Sequence, residues 1–385
     1  RETEALRARH GARVESVDGL EPVERPTLPG AIRRRSGAAS DAGRPFRRAR
    51  VVVSFPIENM GPSLPNILTA TMGNLYELRE FSGVRLLDID FPAAFADVYP
   101  GPQFGVVGTR RLTGVEGRPL IGTIVKPSVG LSPAETADLV GEFAEAGVDF
   151  VKDDELQANG PHCPLDERVR AVMRVVNDHA ERTGRKVMYA FNITDELDAM
   201  VRHHDLVAEA GGTCVMVNLN HVGVAAVGYL RRRCALPIHG HRAGWGALTR
   251  SPLLGLDFLA YQKIWRLVGV DHLHVCGLRN KFWETDDSVV RNARACLTPL
   301  LGGRTVMPVI SSAQWAGQAP DTYRLIGSVD LIYAAGGGIA AHPGGIAAGV
   351  ASIRQAWDAA ITGTSLEDAA VIHPELRQAL ERFGS

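Results

Sequence analysis

Eight times between about residue 118 and residue 338, the chain sets a short β-branched run ahead of a longer, polar-and-apolar stretch. No other feature restricts the fold as much. A strand followed by a helix has to return parallel to its predecessor, and the crossover takes one hand. The runs are "LIGTIVKP" (120–127), "VDFVKDDE" (148–155), "KVMYAFNIT" (186–194), "TCVMVNLN" (213–220), "LPIHGHRA" (236–243), "DHLHVCG" (271–277), "TVMPVISS" (305–312) and "DLIYAAGGG" (330–338). Between them lie helical patterns such as "SPAETADLVGEFAEAG" (132–147), which opens on a Ser cap with Glu three residues on. "LDFLAYQKIWRLVG" (256–269) is another. Eight such units in succession predict an α/β protein built on a (β/α)8 TIM barrel over residues 116–385. The stretch after the eighth strand reads as helices packed outside it.

The first part of the chain does not alternate in this way. "RARVVVSFPI" (48–57) reads as a strand, "NILTATMGNLYEL" (66–78) as a helix and "GVRLLDIDFP" (83–92) as a strand, before a Pro/Gly-rich "YPGPQFG". A smaller N-terminal α+β domain over residues 1–115 follows. The 385 residues suit this division, since a barrel takes roughly 250. The chain opens on Arg1 rather than Met, so its natural start is expected to precede that residue.

Composition narrows the function classes. A net charge of −1 gives no overall field to draw in nucleic acid or an anionic membrane. The basic stretch 31–50 reads, from its Gly, Ser, Ala and Pro content, as a solvated loop. No run approaches the ~18 apolar residues of a membrane span, and no signal peptide is recognisable. Cys163, Cys214, Cys234, Cys276 and Cys296 are widely spaced, without a CxxC pair. They read as reduced thiols in a cytoplasmic protein rather than a zinc site.

In a TIM barrel the chemistry sits where strands end and the following loops begin. Polar residues collect there: Lys126 on strand one, Lys152, Asp154 and Glu155 on two, Asn192 on three, and Asn218 and Asn220 on four. Strand five brings His239, His241 and Arg242, six His272 and His274, seven Ser311 and Ser312, and eight Gly336, Gly337 and Gly338. Side chains alternate along a strand, so Lys152 and Asp154 share a face while Asp153 takes the other. Glu155, at the strand's end, can turn back toward the same centre. Two adjacent carboxylates call for a cation, and Mg²⁺ is the default for hard oxygen ligands. A protonated lysine cannot ligate a metal, but a neutral amine can add CO₂ and become a carbamate, which can. A plain lysine–acid salt bridge explains the same residues without a metal.

"AAGGGIAAHPGG" (334–345) follows strand eight and precedes a helix, where free backbone N–H groups suit an anion. "ISSA" (310–313) is its neighbour after strand seven, the usual phosphate position of the fold. A tight turn that needs glycine angles is the bland alternative. The alternating histidines of "IHGHRAG" and "DHLHVCG", with Arg242 adjacent, read as a second anion-binding wall.

Together these motifs resemble those of the RuBisCO large-subunit superfamily, and specifically its RuBisCO-like (form IV) proteins. "GTIVKPSVGLSP" resembles the motif with the proton-abstracting lysine, which falls on Lys126. "GVDFVKDDE" resembles the metal motif, with the carbamylated lysine at Lys152 and the Mg²⁺ carboxylates at Asp154 and Glu155. "HGHRAG" places a catalytic-site histidine at His241 and a phosphate-binding arginine at Arg242, and "DHLHVCG" places a phosphate-side histidine at His274. "CGLRNKFWE" resembles the mobile loop after strand six, with its lysine at Lys281. "PVISSA" and "AAGGGIAAHPGG" place the remaining phosphate binders at Ser311, Gly336 and Gly337. "TATMGN" places an active-site asparagine at Asn74, which in that family reaches into the partner's barrel and so implies a homodimer with shared sites.

The departures separate the branches. Carboxylases carry a second lysine two residues after the first, where this chain has Ser128, and two glycines where it has Ser312 and Ala313. Their N-terminal acidic segment is not in this sequence, whose natural start is expected to precede Arg1. CO₂ fixation is therefore not expected. The methionine-salvage enolase usually lacks the loop lysine and the His-Arg pair, and both are kept here. Their retention implies a substrate that keeps a carboxylate. The resemblance points to Mg²⁺-dependent enolate chemistry on a phosphorylated keto-sugar acid, as decarboxylase or transcarboxylase/hydrolase of 3-oxo-isoapionate 4-phosphate. A 2,3-diketo-5-methylthiopentyl-1-phosphate enolase or methylthioribulose-1-phosphate isomerase is the alternative in the same superfamily. A Schiff-base aldolase through Lys126 and a non-catalytic metabolite-binding module are the alternatives outside it.

Overall fold

The computed structural model describes residues 3–29 and 45–384. Most of the basic stretch 31–50 lies outside the described residues, although its last residues enter a strand. The chain divides into two compact units. One comprises the chain up to Val98 together with Trp245–Tyr261, and the other Tyr99–Gly244 together with Gln262 onward.

In the first unit, Arg13–Val23 pairs antiparallel with Phe46–Ser54. The second of these strands was expected from the sequence; the first was not. Its register shifts between Val14 and Ser16 and again between Leu20 and Val23. These irregularities break the period-two pattern that would have marked it. A helix runs over Leu64–Met72, with the Ser63 hydroxyl accepting from Asn66 N, and a 3₁₀ turn covers Asn74–Glu77. The strand expected over 83–92 shrinks to Val84–Leu86, because its partner Leu254–Leu256 is only that long. Tyr76 and Arg85 fasten this pair. The Tyr76 hydroxyl donates to Gly255 O (2.7 Å) and accepts from Leu86 N (3.0 Å). Arg85 donates to Thr249 O (2.9 Å) and Ser251 O (3.0 Å). Gly255 has to be glycine: its φ is +103°, and a Cβ there would fall 1.8 Å from Leu248 O.

The second unit is a closed, all-parallel barrel with eight strands: Leu120–Ile124, Phe150–Lys152, Met188–Asn192, Cys214–Asn218, Ile238–His241, His272–His274, Met307–Ile310 and Ile332–Ala334. They neighbour one another in chain order, and strand eight pairs with strand one. All eight were expected. Each is shorter than the run that marks it, and five of them still end on a polar residue: Lys152, Asn192, Asn218, His241 and His274.

Helices cover the barrel. In Pro133–Glu145 the capping box forms in both directions, with Glu135 N donating to Ser132 Oγ (3.3 Å) and Ser132 N to Glu135 Oε2 (2.8 Å). Ala137, Val140 and Ala144 from this helix are buried at helical spacing. After strand eight, Gly345–Thr362, Leu366–Ile372 and Pro374–Phe383 are helical, with Trp357 and Leu376 buried.

The barrel interior is filled by alternate residues of the strands, among them Leu120, Phe150, Met188, Cys214, Met307 and Ile332. At the end where the strands begin, Asp271 closes the structure. Its carboxylate accepts from Phe104 N (2.6 Å), Gly105 N (2.9 Å) and Ile238 N (2.9 Å), and pairs with Arg231 (3.0 Å). With the core filled and that end tied, the ends of the strands are left for chemistry.

Candidate active site

Strand two places Phe150 inside the barrel, and the pleat then places Lys152 on the same side. Lys152 is 2% exposed. Its ammonium nitrogen donates to Asp153 O (2.9 Å) and lies 3.6 Å from Glu155 Oε2. Burial pulls its pKa down, against the pull of Glu155, Asp154 and Asp153, and with help from Lys126. A buried lysine of this kind moves toward the neutral amine.

Asp154 follows on the same face. Its carboxylate takes the Lys126 ammonium and accepts from Ser128 Oγ (3.1 Å), while Lys126 also donates to Ser128 (2.8 Å). Burial alone would raise the Asp154 carboxyl. The Lys126 hydrogen bond, the Leu156 amide and the two lysine charges outweigh it and hold the group below its ordinary value. Ser128, the departure from the carboxylase pattern, thus joins strands one and two through a hydroxyl.

Asp153 points away, as the alternation requires. It is fully buried, and it accepts from Arg168 (3.2 Å), Asn192 N (2.8 Å) and Tyr189 Oη (2.5 Å). Arg168 also donates to Cys163 O (2.9 Å) and Ala158 O (2.6 Å), which fixes the loop after strand two. The asparagines on strands three and four hold that loop from within. Asn192 Nδ2 donates to Asp154 O and Glu155 O (both 3.2 Å), and Asn218 Nδ2 to Glu155 O (2.9 Å). Sequence reasoning put both at strand ends without this backbone-holding role.

Among the described residues, no three His, Cys, Asp or Glu side chains gather as a metal site. Beside the carboxylates of Asp154 and Glu155, Lys152 could supply a third oxygen ligand only as a carbamate. The donor chemistry fits: a lysine whose burial favours the neutral amine, flanked by two carboxylates, yields three oxygen ligands on CO₂ addition.

The four strand-borne histidines divide into two pairs. His239 and His272 are interior residues rather than an anion-binding wall. His272 opens its strand and bonds Thr109 Oγ1 through Nε2 (2.8 Å), and burial lowers its pKa to about 3. His239 is fully buried against the Phe150 ring, at 5.1 Å between centroids. His241 and His274 lie nearer the strand ends. His241 Nδ1 accepts from Ala243 N (3.2 Å), which leaves the proton of the neutral ring on Nε2, 3.7 Å from Glu155 Oε2. Burial foremost, then Lys152, His239, Arg242 and Lys126, keep this ring well below the ordinary histidine pKa. His274 Nδ1 meets Ser311 Oγ at 3.1 Å.

Gly336, Gly337 and Gly338 form the first turn of the short helix Gly336–Ala340, and none has a positive φ, so the tight-turn alternative does not apply. Gly338 is needed for packing, since a Cβ there would meet Gln314 O at 2.6 Å. Gly337 faces open space, with its backbone accessible. Beside them, Ser312 (φ 73°) and Ala313 (φ 62°) hold the left-handed conformation that glycine favours.

Two predicted residues stand differently from expectation, and a third lies in the other unit. Arg242 forms an ion pair with Glu284, 2.7 Å away in the loop after strand six. Lys281 in the same loop is exposed, 5.4 Å over the Phe282 ring, and its ammonium makes no ion pair among the described residues. Asn74 is exposed and begins the 3₁₀ turn of the first unit. The structure thus brings Lys126, Lys152, Asp154, Glu155 and His241 together, with Ser311 and His274 joined beside them, and leaves Lys281 outside.

Comparison with known proteins agrees with this geometry. The profile of the ribulose bisphosphate carboxylase large chain, catalytic domain, matches residues 105–383. A 3-oxo-isoapionate-4-phosphate transcarboxylase/hydrolase of Xanthobacter autotrophicus is 55% identical over 98% of this chain and 90% of its own length. A 3-oxo-isoapionate-4-phosphate decarboxylase of Rhizobium etli is 48% identical over 99% of this chain and 90% of its own. The crystal structure of a rubisco-like protein from Burkholderia fungorum superposes with a TM-score of 0.94 at 51% identity, covering 98% of this chain and 93% of that one. On its sequence, its barrel and its strand-end residues, the chain belongs to the RuBisCO large-chain family, among the RuBisCO-like proteins.

Proposed function

We propose that the protein is a RuBisCO-like enzyme that acts on 3-oxo-isoapionate 4-phosphate, as transcarboxylase/hydrolase or decarboxylase, and does not fix CO₂. The observation that carries this reading is the 55% identity, along nearly the whole chain, to the transcarboxylase/hydrolase. The site supports it, because the residues it gathers suit loss of a carboxylate beside a ketone.

Carbamylated Lys152, Asp154 and Glu155 would hold Mg²⁺, which supplies Lewis-acid stabilisation of negative charge. Cleavage of the C–C bond to the carboxylate leaves its electron pair on the keto oxygen as an enolate. Lys126, already hydrogen-bonded at Asp154 and Ser128, delivers a proton to the carbon. His241, with Nε2–H toward Glu155, relays protons at the same end of the barrel. Ser311, His274, Arg242, Gly336 and Gly337 bind the phosphate. Lys281 moves in from its exposed position to hold the carboxylate. Asn74 completes the site of a partner in a homodimer. The five cysteines are buried and unpaired, which accords with the cytoplasm.

The test is turnover of 3-oxo-isoapionate 4-phosphate, labelled with ¹³C at its carboxylate, in Mg²⁺ and bicarbonate. Release of labelled CO₂ or hydrolysis to a labelled acid is the expected result, and the two outcomes separate decarboxylase from transcarboxylase/hydrolase. Turnover of methylthiopentyl or methylthioribulose phosphates alone would overturn the assignment.

A further inference from the structure

Ser311, His274 and His239 form a single hydrogen-bonded chain running from the strand-seven loop into the barrel interior. Ser311 Oγ meets His274 Nδ1 at 3.1 Å, and His274 Nε2 meets His239 Nε2 at 2.8 Å. The far nitrogen, His239 Nδ1, is buried and has no partner. His239 itself is 0% exposed, its ring enclosed by Phe150, His272 and His274.

A neutral imidazole has one donor and one acceptor nitrogen. Burial, the largest cause for each, holds both rings well below the ordinary histidine pKa and so keeps them neutral. Two facing Nε2 atoms at 2.8 Å then have to take opposite roles, and only two arrangements exist. If His274 donates to His239, His239 carries its proton on Nδ1 and buries an N–H with nothing to accept it. His274 Nδ1 is then bare and consumes the Ser311 hydroxyl proton. If His239 donates instead, its buried Nδ1 is a bare lone pair. Orphaned buried donors are rarer than under-satisfied acceptors. His274 then carries its proton on Nδ1, donates to Ser311 Oγ, and leaves the Ser311 O–H free to point outward.

We infer that His239, although sealed in the barrel, is a positioning residue. Its Nε2–H fixes His274 in the Nδ1–H tautomer, and this turns Ser311 into a hydrogen-bond donor for an anionic oxygen. The anion is the substrate phosphate, so this clause rests on the proposed function; the tautomer assignment does not. The device also explains why a polar ring occupies a core position on strand five. An aliphatic side chain would fill the volume, but it would leave His274 to choose its tautomer.

The experiment is a two-bond ¹H–¹⁵N correlation spectrum of the histidine-labelled protein, with and without inorganic phosphate. The expected result is His239 protonated on Nε2 and His274 on Nδ1 in both conditions, with phosphate shifting the His274 signals. In His239→Met the Nδ1–H preference of His274 should be lost and phosphate affinity should fall about tenfold. His239→Gln, whose carboxamide N–H can replace the donor, should restore both. His274 protonated on Nε2 in the unsubstituted protein overturns the inference, as does unchanged phosphate affinity in His239→Met. If that variant does not fold, the tautomer spectrum and His239→Gln still decide. The expected tautomers with no phosphate-dependent shift would support the inference and overturn the phosphate reading alone.

Discussion

Arg242 and Glu284 form an ion pair of 2.7 Å between Nη2 and Oε2, with side chains only 10% and 3% exposed. The contact joins strand five to the loop after strand six. It is an ion pair rather than a well-aligned hydrogen bond, and the other carboxylate oxygen of Glu284 accepts from Asn292 (2.8 Å) and Ser288 (3.0 Å). Arg242→Met leaves this carboxylate buried without its cation and is expected to cost about 3 kcal/mol. Adding Glu284→Gln should recover a substantial part, because the two sites are coupled. Urea unfolding of the two single variants and the double variant measures this; additive losses would refute the coupling.

Lys152→Ala removes the amine that is proposed to become the third oxygen ligand. Mg²⁺-dependent turnover should fall roughly 10²-fold or more, while the fold persists. In ¹³CO₂-saturated buffer the unsubstituted protein should show one carbamate carbonyl resonance that the variant lacks. Unchanged turnover in Lys152→Ala would sink the carbamate.

Asp153 is predicted to matter for stability rather than chemistry. Asp153→Ala strands Arg168 beneath the strand-two loop and should cost about 3–5 kcal/mol. Tyr189→Phe removes a single bond to the same carboxylate and should cost about 1.5–3 kcal/mol. Thermal denaturation distinguishes the two, and a larger loss in Tyr189→Phe would contradict the network.

Ser312 and Ala313 carry left-handed backbone at a position where related carboxylases are expected to have glycine. Relief of that strain outweighs the entropy a new glycine adds to the unfolded chain. Each glycine substitution should therefore stabilise by about 0.5–1 kcal/mol. A lower melting temperature in a variant would show that the residue replaced in it is not strained.

The buried histidines make the fold acid-sensitive. His272 has an ordinary unfolded value of 6.5 and a folded value of about 3. The unfolded chain therefore binds the extra proton. Stability is complete above pH 6.5, falls as pH drops below it, and levels off only near the folded value. His272 alone gives a slope of about 1.4 kcal/mol per pH unit near pH 4–5. Denaturation between pH 4 and 7 should show a shallower slope in His272→Gln, and an equal slope would refute the assignment.

The barrel was legible because strand and helix periods alternate strongly, and the charged cluster was legible because Lys152 and Asp154 follow the pleat and Glu155 stands where the strand ends. What stayed hidden depended on contacts that no local pattern encodes. The Arg13–Val23 strand lost its period to register shifts. Leu254–Leu256 pairs with Val84–Leu86, far away in sequence. The alternating histidines looked alike in sequence, yet depth in the barrel sends His239 and His272 to the core and leaves His241 and His274 nearer the strand ends. Arg242 is proposed as a phosphate ligand, and only the fold shows that it also pairs with Glu284.

Asp153 and Asp154 are adjacent in sequence and serve opposite sides of one strand. Strand two therefore imposes a parity rule on its own length. A single-residue insertion or deletion between Phe150 and Asp153 would exchange the two carboxylates, aiming the Arg168 anchor into the barrel and the Lys126 partner outward. A two-residue change would keep their faces and shift only their height. Length variation in this segment should thus occur in even steps or not at all, whatever substrate the barrel has come to accept.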